Sequence, residues 1–272
     1  MPRNRHQIAA RPNPTSMSER DTRDNFERRI RAALDCWRAR KNQARFWWRD
    51  DDAARDGASL RRLLGTLAGA PLALAVIPEP AQADLAAAAA LQPGVTVFQH
   101  GWAHINHAPR GQASGAWELD GFRPRAQILA EMQAGKARLE SLFGERFAPV
   151  MVPPWNRIHA GLLPGLAAQG FVGVSAMSAE PLSEPFPGVR RIDCRFDVLR
   201  WKNGARFAGW SRAADALDTV LRDPAGDGIV GINTHHLVTD RDGWRFIECL
   251  QRLVADHPSA DWVQPERLFS QR

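Results

Sequence analysis

The sequence predicts an α/β protein in which parallel β-strands alternate with α-helices. Short runs rich in β-branched and aromatic residues recur along the chain, and segments with helical periodicity separate several of them. In addition, clusters of polar residues stand directly after four of the strand-like runs. Strands joined by helical crossovers form a parallel sheet, which is either open or closed into a barrel.

The strand predictions depend on apolar runs that end where glycine, proline or charged residues begin. They cover residues 45–49, 72–77, 95–99, 148–152, 171–175, 190–196 and 229–233.

The clearest helical pattern covers residues 125–143, where Ile128 and Leu139 belong to one apolar stripe and Pro124 stands near the start. An N-terminal helix with apolar residues at helical spacing is predicted as well. That helix carries Phe26, Ile30, Leu34 and Trp37, and the other predicted helices cover residues 59–68, 83–91, 213–222 and 243–255.

Composition and charge exclude several classes of protein. No run of the 272 residues approaches 18 apolar residues, so we expect no membrane span. The net charge of +6 is concentrated in residues 1–45, which carry +7, so the rest of the chain is almost neutral and no nucleic-acid partner is expected. The N-terminus has no apolar stretch typical of a secretory signal, which favours a cytoplasmic protein.

The three cysteines, Cys36, Cys194 and Cys249, are far apart and form no CxxC pair. This spacing predicts buried free thiols in a reducing compartment rather than a disulfide or a metal-binding cysteine cluster.

Polar clusters mark the ends of four predicted strands. The segment FWWRDDDAA brings three aspartates, Asp50, Asp51 and Asp52, to the end of the first strand. The other clusters are HGWAHINH, which begins at His100, PPWNR, which begins at Pro153, and the final pair of INTHH, His235 and His236. Since the carboxyl ends of parallel strands meet at one rim, these side chains are predicted to lie close together.

Carboxylates and imidazoles on one rim form a set of metal ligands. His100 and His104 are four residues apart, and a cation would offset the repulsion among the three adjacent aspartates. Oxygen and nitrogen ligands together suit a divalent ion, with Zn²⁺ as the expected metal and Co²⁺, Mn²⁺ or Fe²⁺ as alternatives.

Across residues 45–240 this pattern resembles the NodB-homology polysaccharide deacetylases, the fourth carbohydrate esterase family. That family has an aspartate pair after its first strand, an H-[ST]-x-x-H motif, an arginine-proline loop, a further aspartate and a late LxH histidine. RDDDA, HGWAH, VPPWN, RIDCRFD and INTHH occupy these places here. The resemblance implies an irregular (β/α) barrel. With the predicted N-terminal helix included, residues 19–272 are expected to form one domain, and the polar, proline-containing residues 1–18 are predicted to be a disordered tail.

The resemblance also implies roles for individual residues. Asp51 is implied as the general base, and Asp52, His100 and His104 as the metal ligands. A shift of the alignment by one residue would instead make Asp50 the base and Asp51 the ligand.

For the late histidine, the further aspartate and the residue that orients the base, the resemblance leaves more than one candidate. The late catalytic histidine is implied to be His235 or His236, and Asp193 or Asp197 matches the further aspartate. The family's arginine, which orients the base, is replaced here by Val152, so the base is oriented by another residue or tuned differently. The candidates and the other residues expected beside the centre are Arg49, Arg157, Asp50, Trp155 and Asn156.

The implied activity is metal-dependent hydrolysis of an amide other than a peptide bond, which removes an acetyl group from an N-acetylated sugar or glycan precursor. An O-acetylated sugar, a non-sugar amide, and a carbohydrate-binding or metal-binding module with weakened catalysis are the alternatives. The expected partner is a small molecule or an oligosaccharide, and no oligomeric state is predicted.

Overall fold

A computed structural model describes residues 19–110, 115–177, 188–224 and 226–270. The tail predicted for residues 1–18 lies outside these ranges. Most strands are short and several belong to the segment between residues 188 and 210. The strands are β1 Ala44–Ala53, β2 Leu72–Val76, β3 Val95–His100, β4 Phe147–Val152, β5 Gly173–Val174, β6 Arg190–Arg191, β7 Cys194–Asp197, β8 Leu199–Arg200, β9 Arg206–Phe207, β10 Ile229–Thr234 and β11 Ala260–Trp262.

The helices lie mainly between consecutive strands. They are α1 Glu19–Ala39, α2 Ala58–Leu67, α3 Ala83–Ala90, α4 Arg125–Phe143, α5 Leu163–Ala168, α6 Trp210–Arg222, α7 Arg241–Asp256 and α8 Pro265–Phe269. Among them, α4 has the bounds that the sequence predicts. Pro124 stands at its N-cap, and Gly144 ends it with a positive φ of 55°, which glycine adopts readily.

The main sheet is parallel and curls into an irregular barrel. Its strands follow the order β6-β5-β4-β3-β2-β1-β10-β7, with β11 beside the start of β1. A parallel bridge between Met177 and Cys194 joins the chain that follows β5 to β7, so the two ends of the sheet meet. The prediction of an α/β protein with an irregular (β/α) barrel is confirmed.

Strand β1 lies in the middle of the sheet and is buried on both faces. Phe46 and Trp48 pack with the outer helices, whereas Trp47, between them, points into the barrel. This alternation follows from the two-residue period of a strand. Inside the barrel Trp47 meets Phe269 of α8 edge to face, with ring centroids 6.3 Å apart, and Phe98 of β3 contacts the same ring. Aromatic side chains therefore fill the barrel below the carboxyl ends of the strands.

The N-terminal helix packs on the outside of the barrel, as its apolar spacing predicts. Phe26 contacts both Trp210 of α6 and Phe246 of α7, at centroid distances of 5.5 and 5.4 Å. Arg29 forms ion pairs with Asp215 and Asp218 of α6 at the edge of this contact. Helix α1 is thus part of the same packed unit as helices α6 and α7.

The prediction of a single strand over residues 190–196 is wrong. The run forms two short strands, because β6 pairs with β5 whereas β7 pairs with β10. Of the cysteines, Cys194 and Cys249 are buried as predicted, but Cys36 is exposed on the outer side of α1. Over the described ranges, no helix is long and apolar enough to cross a membrane.

Candidate active site

The three adjacent aspartates of β1 have three different sets of partners. Asp50 and Asp51 point to opposite sides of the sheet, as neighbouring strand residues do. The pairing of β1 with β2 is irregular between Asp50 and Ala53, and Asp52 has a positive φ of 70°. This bulge turns Asp52 back toward the side that Asp51 faces. Both carboxylates therefore reach the same cleft at the rim of the barrel, and Asp50 does not.

Asp50 is held by the segment that follows β10. Its Oδ2 accepts hydrogen bonds from Thr234 Oγ1 at 2.7 Å and from the backbone N–H of His236 at 3.0 Å, and its Oδ1 contacts Nδ1 of His236. Burial alone would lower the pKa of His236, but the Asp50 carboxylate outweighs burial and raises it. Asp50 and His236 thus form a buried pair away from the cleft.

Asp52 meets two histidines at the mouth of the barrel. Its Oδ1 lies 3.2 Å from Nε2 of His100 and 3.3 Å from Nε2 of His104. Nδ1 of His100 donates to the carbonyl oxygen of Val152 at 2.9 Å, so Nε2 is the ring nitrogen that faces Asp52 and is free to bind a metal ion once it is deprotonated. Within the described residues, these three side chains are the group whose ligand atoms all lie within 4.8 Å of one another.

This arrangement fits a small divalent ion. Zinc binds nitrogen and oxygen ligands at about 2.0–2.1 Å, and tetrahedral geometry then separates neighbouring ligand atoms by about 3.3 Å. The separations from Asp52 to the two imidazole nitrogens match that value. The ligand nitrogens of His100 and His104 lie within 4.8 Å of each other, and three protein ligands leave one tetrahedral position open.

The cleft around these residues has a volume of about 490 Å³. Strands β1, β3, β7 and β10 contribute residues at or beyond their carboxyl ends, and the segment after β4 and the first strand and turn of the β8–β9 hairpin contribute as well. It is lined by Asp51, Asp52, His100, His104, Trp155, Asn156, Met177, Asp197, Leu199, Arg200, Trp201, Lys202, Arg212 and His235.

No protein-family model matches the sequence, and no curated protein matches it significantly. Solved structures do match. A peptidoglycan N-acetylglucosamine deacetylase is 16% identical, with a TM-score of 0.54, and the match covers 85% of this chain and 90% of that one. The chitin deacetylase of Colletotrichum lindemuthianum is 14% identical, with a TM-score of 0.51 and coverage of 81% and 87%.

A third match is a CE4 esterase of Streptococcus mutans, 13% identical with a TM-score of 0.50, which covers 85% of this chain and 84% of that one. The chain has the NodB-homology deacetylase fold. Identities at this level establish the fold alone.

On this NodB-homology deacetylase fold, Arg49 is the cation beside Asp51. It stands two residues before Asp51 on β1 and is fully buried. Its Nη2 donates to Asp51 Oδ2 at 3.0 Å and its Nε lies 2.9 Å from Oδ1. Val152 is also buried, and it contributes its backbone carbonyl to His100. Arg49, which lies on the same strand as Asp51, thus contacts the carboxylate that the family's arginine would orient and that Val152 cannot.

Further contacts fix the guanidinium of Arg49 in place. It donates to Oδ1 of Asn156 at 2.9 Å and to the carbonyl oxygen of Ser175 at 2.9 Å. Asn233 of β10 donates through Nδ2 to Asp51 Oδ2 at 3.1 Å. Burial would raise the pKa of Asp51, but the charge of Arg49, aided by His100 and His235, holds it below its ordinary value. Asp51 is therefore ionised at neutral pH.

Of the two candidate late histidines, His235 is the one that faces the cleft. Its Nε2 lies 3.7 Å from Asp51 Oδ2 and its Nδ1 lies 3.9 Å from Asp197 Oδ1. Asp197 accepts hydrogen bonds from the backbone of Leu199 and from Nε1 of Trp201, both at 2.9 Å. The indole of Trp201 meets the His235 ring edge to face, with centroids 4.6 Å apart.

The two candidates for the further aspartate have different positions in the structure. Asp197 lines the cleft at the end of β7, whereas Asp193 forms an ion pair with Arg191 and is not among the lining residues. Strand pairing explains the difference, because Asp197 is aligned with Asn233 at the carboxyl end of β10.

The segment after β4 brings Trp155 and Asn156 to the site with unusual backbone angles. Their φ values are 54° and 59°, and His104 also has a positive φ, of 57°. Side chains other than glycine adopt this region at a cost of about 1–3 kcal/mol each, with asparagine at the lower end. The ring of Trp155 lies 4.3 Å from that of His104 between centroids.

Glu118 is a buried residue beside the site that sequence reasoning did not identify. Its carboxylate accepts hydrogen bonds from the backbone of Trp102 at 3.2 Å and of Ala103 at 2.8 Å. A Cβ on Gly101 would lie 2.0 Å from this carboxylate. Glycine here, where the family has serine or threonine, therefore leaves room for Glu118 to support the segment between His100 and His104. Glu118 lies in a loop and belongs to none of the polar clusters in the sequence, so no spacing pattern predicts its place beside the site.

The different partners of the two late histidines lead to opposite expectations for their variants. His236→Asn removes the partner of buried Asp50, so we expect a loss of roughly 2–4 kcal/mol in stability and a fall in Tm of roughly 5–10 °C, with metal binding retained. His235→Asn should leave Tm within about 2 °C of wild type. Thermal unfolding of both variants, with metal content measured beside it, tests this. An equal fall in Tm for the two variants would contradict the assignment.

Proposed function

We propose that the protein is a metal-dependent hydrolase that removes an acetyl group from an N-acetylated sugar or glycan precursor. The observation that supports this best is the presence in one cleft of three candidate metal ligands, Asp52, His100 and His104, beside an ionised carboxylate, Asp51, and a histidine, His235. A divalent ion bound there, with Zn²⁺ as the expected metal, would lower the pKa of a water molecule and polarise the acyl carbonyl.

Asp51 would act as the general base. Because Arg49 and Asn233 both donate hydrogen bonds to its Oδ2, and Nε of Arg49 lies 2.9 Å from Oδ1, its orientation is fixed and the charge of Arg49 keeps it ionised. The proton that it takes comes from the attacking water. General base catalysis of this kind contributes roughly 10²–10⁴-fold to the rate.

His235 would act as the general acid. It lies beside Asp51 in the cleft, and Asp197 and Trp201 restrict its ring from the other side. In this place it would give a proton to the nitrogen of the departing amine as the amide bond breaks. His236 takes no part in the reaction, because it is buried against Asp50.

The aromatic residues of the cleft suit a sugar ring. Trp155 borders one side, against His104, and Trp201 borders the side of His235 with half of its surface exposed. Indole rings present broad apolar faces on which the C–H face of a pyranose can pack. The acetamido group would then lie between them, above Asp52.

Release of acetate from N-acetylglucosamine oligosaccharides and from a simple acetamide tests this function. We expect release with added Zn²⁺, Co²⁺ or Mn²⁺ and its loss after chelation. Asp51→Asn should lower kcat by roughly 10²–10⁴-fold while metal content is unchanged. Asp261→Asn, which changes an exposed aspartate far from the cleft, is the matched control and should keep full activity. Equal acetate release by Asp51→Asn and wild type would refute the role of Asp51.

A further inference from the structure

Three basic side chains line one wall of the cleft. Arg200 ends β8, Lys202 lies in the turn of the β8–β9 hairpin, and Arg212 lies in the first turn of α6. All three are exposed. In the part of the chain that the structure describes, none of them forms an ion pair or a side-chain hydrogen bond. Their position therefore places three free positive charges beside the catalytic residues.

The hairpin that carries these charges is attached to the candidate centre. Trp201, between Arg200 and Lys202, donates to Asp197 and packs against the ring of His235. The two flanking cations are thus kept close to the candidate general acid. A surface hairpin without this attachment would let its charged side chains turn away into solvent.

The cations do not serve to neutralise the carboxylates of the cleft. Asp51 has Arg49, Asp52 has two histidines and a place for a metal ion, and Asp197 accepts two hydrogen bonds of its own. Three like charges around one opening repel each other, and an anion bound among them would relieve that repulsion.

We propose that Arg200, Lys202 and Arg212 form a subsite for a phosphoryl group carried by the substrate. This inference builds on the proposed function, since it assigns the substrate class as phosphorylated acetamido sugars. Two guanidiniums and one ammonium offer a charge of +3 and many N–H donors, which match the doubly charged, multi-oxygen phosphoryl group better than a single carboxylate. The acyl group then points to Asp52 and the phosphoryl group to the hairpin.

Anion binding tests the subsite independently of turnover. We expect inorganic pyrophosphate to bind the Zn²⁺-loaded protein in calorimetry, and to bind at least roughly tenfold more weakly to Arg200→Gln/Lys202→Gln/Arg212→Gln. The control, Arg38→Gln/Arg40→Gln/Lys41→Gln, removes three exposed cations outside the cleft and should keep wild-type affinity. Equal affinity in all three proteins would place the anion on the metal alone and overturn the subsite.

Turnover distinguishes the failure of the subsite from the failure of the proposed function. We expect the ratio of kcat/KM for N-acetylglucosamine 1-phosphate over neutral N-acetylglucosamine to fall at least roughly tenfold in the cleft variant and to stay constant in the control. UDP-N-acetylglucosamine, measured beside them, distinguishes a monoester from a diphosphate.

An unchanged ratio with active enzyme would overturn the subsite and leave the deacetylase function intact. Weakened pyrophosphate binding without hydrolysis of any sugar would support the subsite and overturn the function. The three side chains are exposed, so their replacement should leave Tm unchanged, and a Tm measurement confirms that each variant is folded.

Discussion

Replacement of His100 and His104 together by alanine is expected to abolish stoichiometric metal binding. The two imidazoles supply two of the three candidate ligands, and Asp52 alone is a weak, partly exposed site for a transition metal. We expect wild type, after incubation with Zn²⁺ and removal of excess metal, to hold close to one ion per chain. The double variant should hold almost none, and hydrolysis should fall to background with it.

Elemental analysis of the purified proteins measures this directly. His107→Ala/His159→Ala is the matched control, because it removes two histidines that do not line the cleft and should retain the metal. Circular dichroism establishes that the double variant is folded. Equally low metal content in wild type and the double variant, after incubation with Zn²⁺, Co²⁺ or Mn²⁺, would exclude the proposed mechanism and leave the fold unaffected.

Arg49→Met is expected to produce the largest loss of stability among single substitutions at the site. The guanidinium is fully buried and pairs with Asp51, so its removal leaves a buried carboxylate without its main counter-charge. Breaking a buried pair from one side costs about 3–5 kcal/mol. For a protein of this size that corresponds to a fall in Tm of roughly 6–20 °C.

The stability loss should be accompanied by a change in the base. Without Arg49, burial is the dominant influence on Asp51, so the pKa of this carboxyl should rise. In wild type the lowered pKa of Asp51 contributes stability that is present above the unfolded pKa and is lost as pH falls through the folded pKa. In the variant the raised pKa makes the ionised carboxylate destabilising, and this cost is relieved as the carboxyl is protonated at lower pH. The variant should therefore lose less stability than wild type when the pH is lowered toward 4.

Thermal unfolding of Arg49→Met at neutral and acidic pH tests both expectations. Arg222→Met is the matched control, since Arg222 also pairs with an aspartate, Asp218, but on the surface of α6, and its loss should leave Tm unchanged. Arg49→Lys should fall between Arg49→Met and wild type, because lysine keeps the charge but not the planar set of donors. A Tm for Arg49→Met within 2 °C of wild type would show that Arg49 does not hold Asp51.

Much of the fold follows from periodic patterns in the sequence. The bounds of α4 are predicted because an apolar stripe, a proline at the start and a glycine at the end all agree. Strand β1 is predicted to end at Arg49, but it continues to Ala53. Three aspartates are unfavourable strand residues, and only tertiary partners, one set for each carboxylate, make the extended conformation stable there.

The candidate site depends on contacts that no spacing reveals. The family resemblance leaves open whether Asp50 or Asp52 shares the cleft with Asp51. The answer depends on a bulge in the pairing of β1 with β2, which the sequence does not reveal. The strand alternation points Asp50 toward His236, and the bulge turns Asp52 into the cleft. Similarly, the basic hairpin at residues 199–207 is too short to show periodicity, so its place beside the cleft appears only in the folded chain.

The positive φ angles at Asp52, His104 and Trp155 link the function of this protein to its resistance to heat. Replacement of any of these residues by glycine or asparagine would relieve its backbone strain and raise the free energy of unfolding. The same strained backbone angle, however, directs each side chain into the candidate site. Laboratory evolution for heat tolerance alone would favour such replacements and so erode the centre. The surface and the helix termini, rather than the rim of the barrel, are therefore the places at which this protein can be stabilised without disturbing the candidate site.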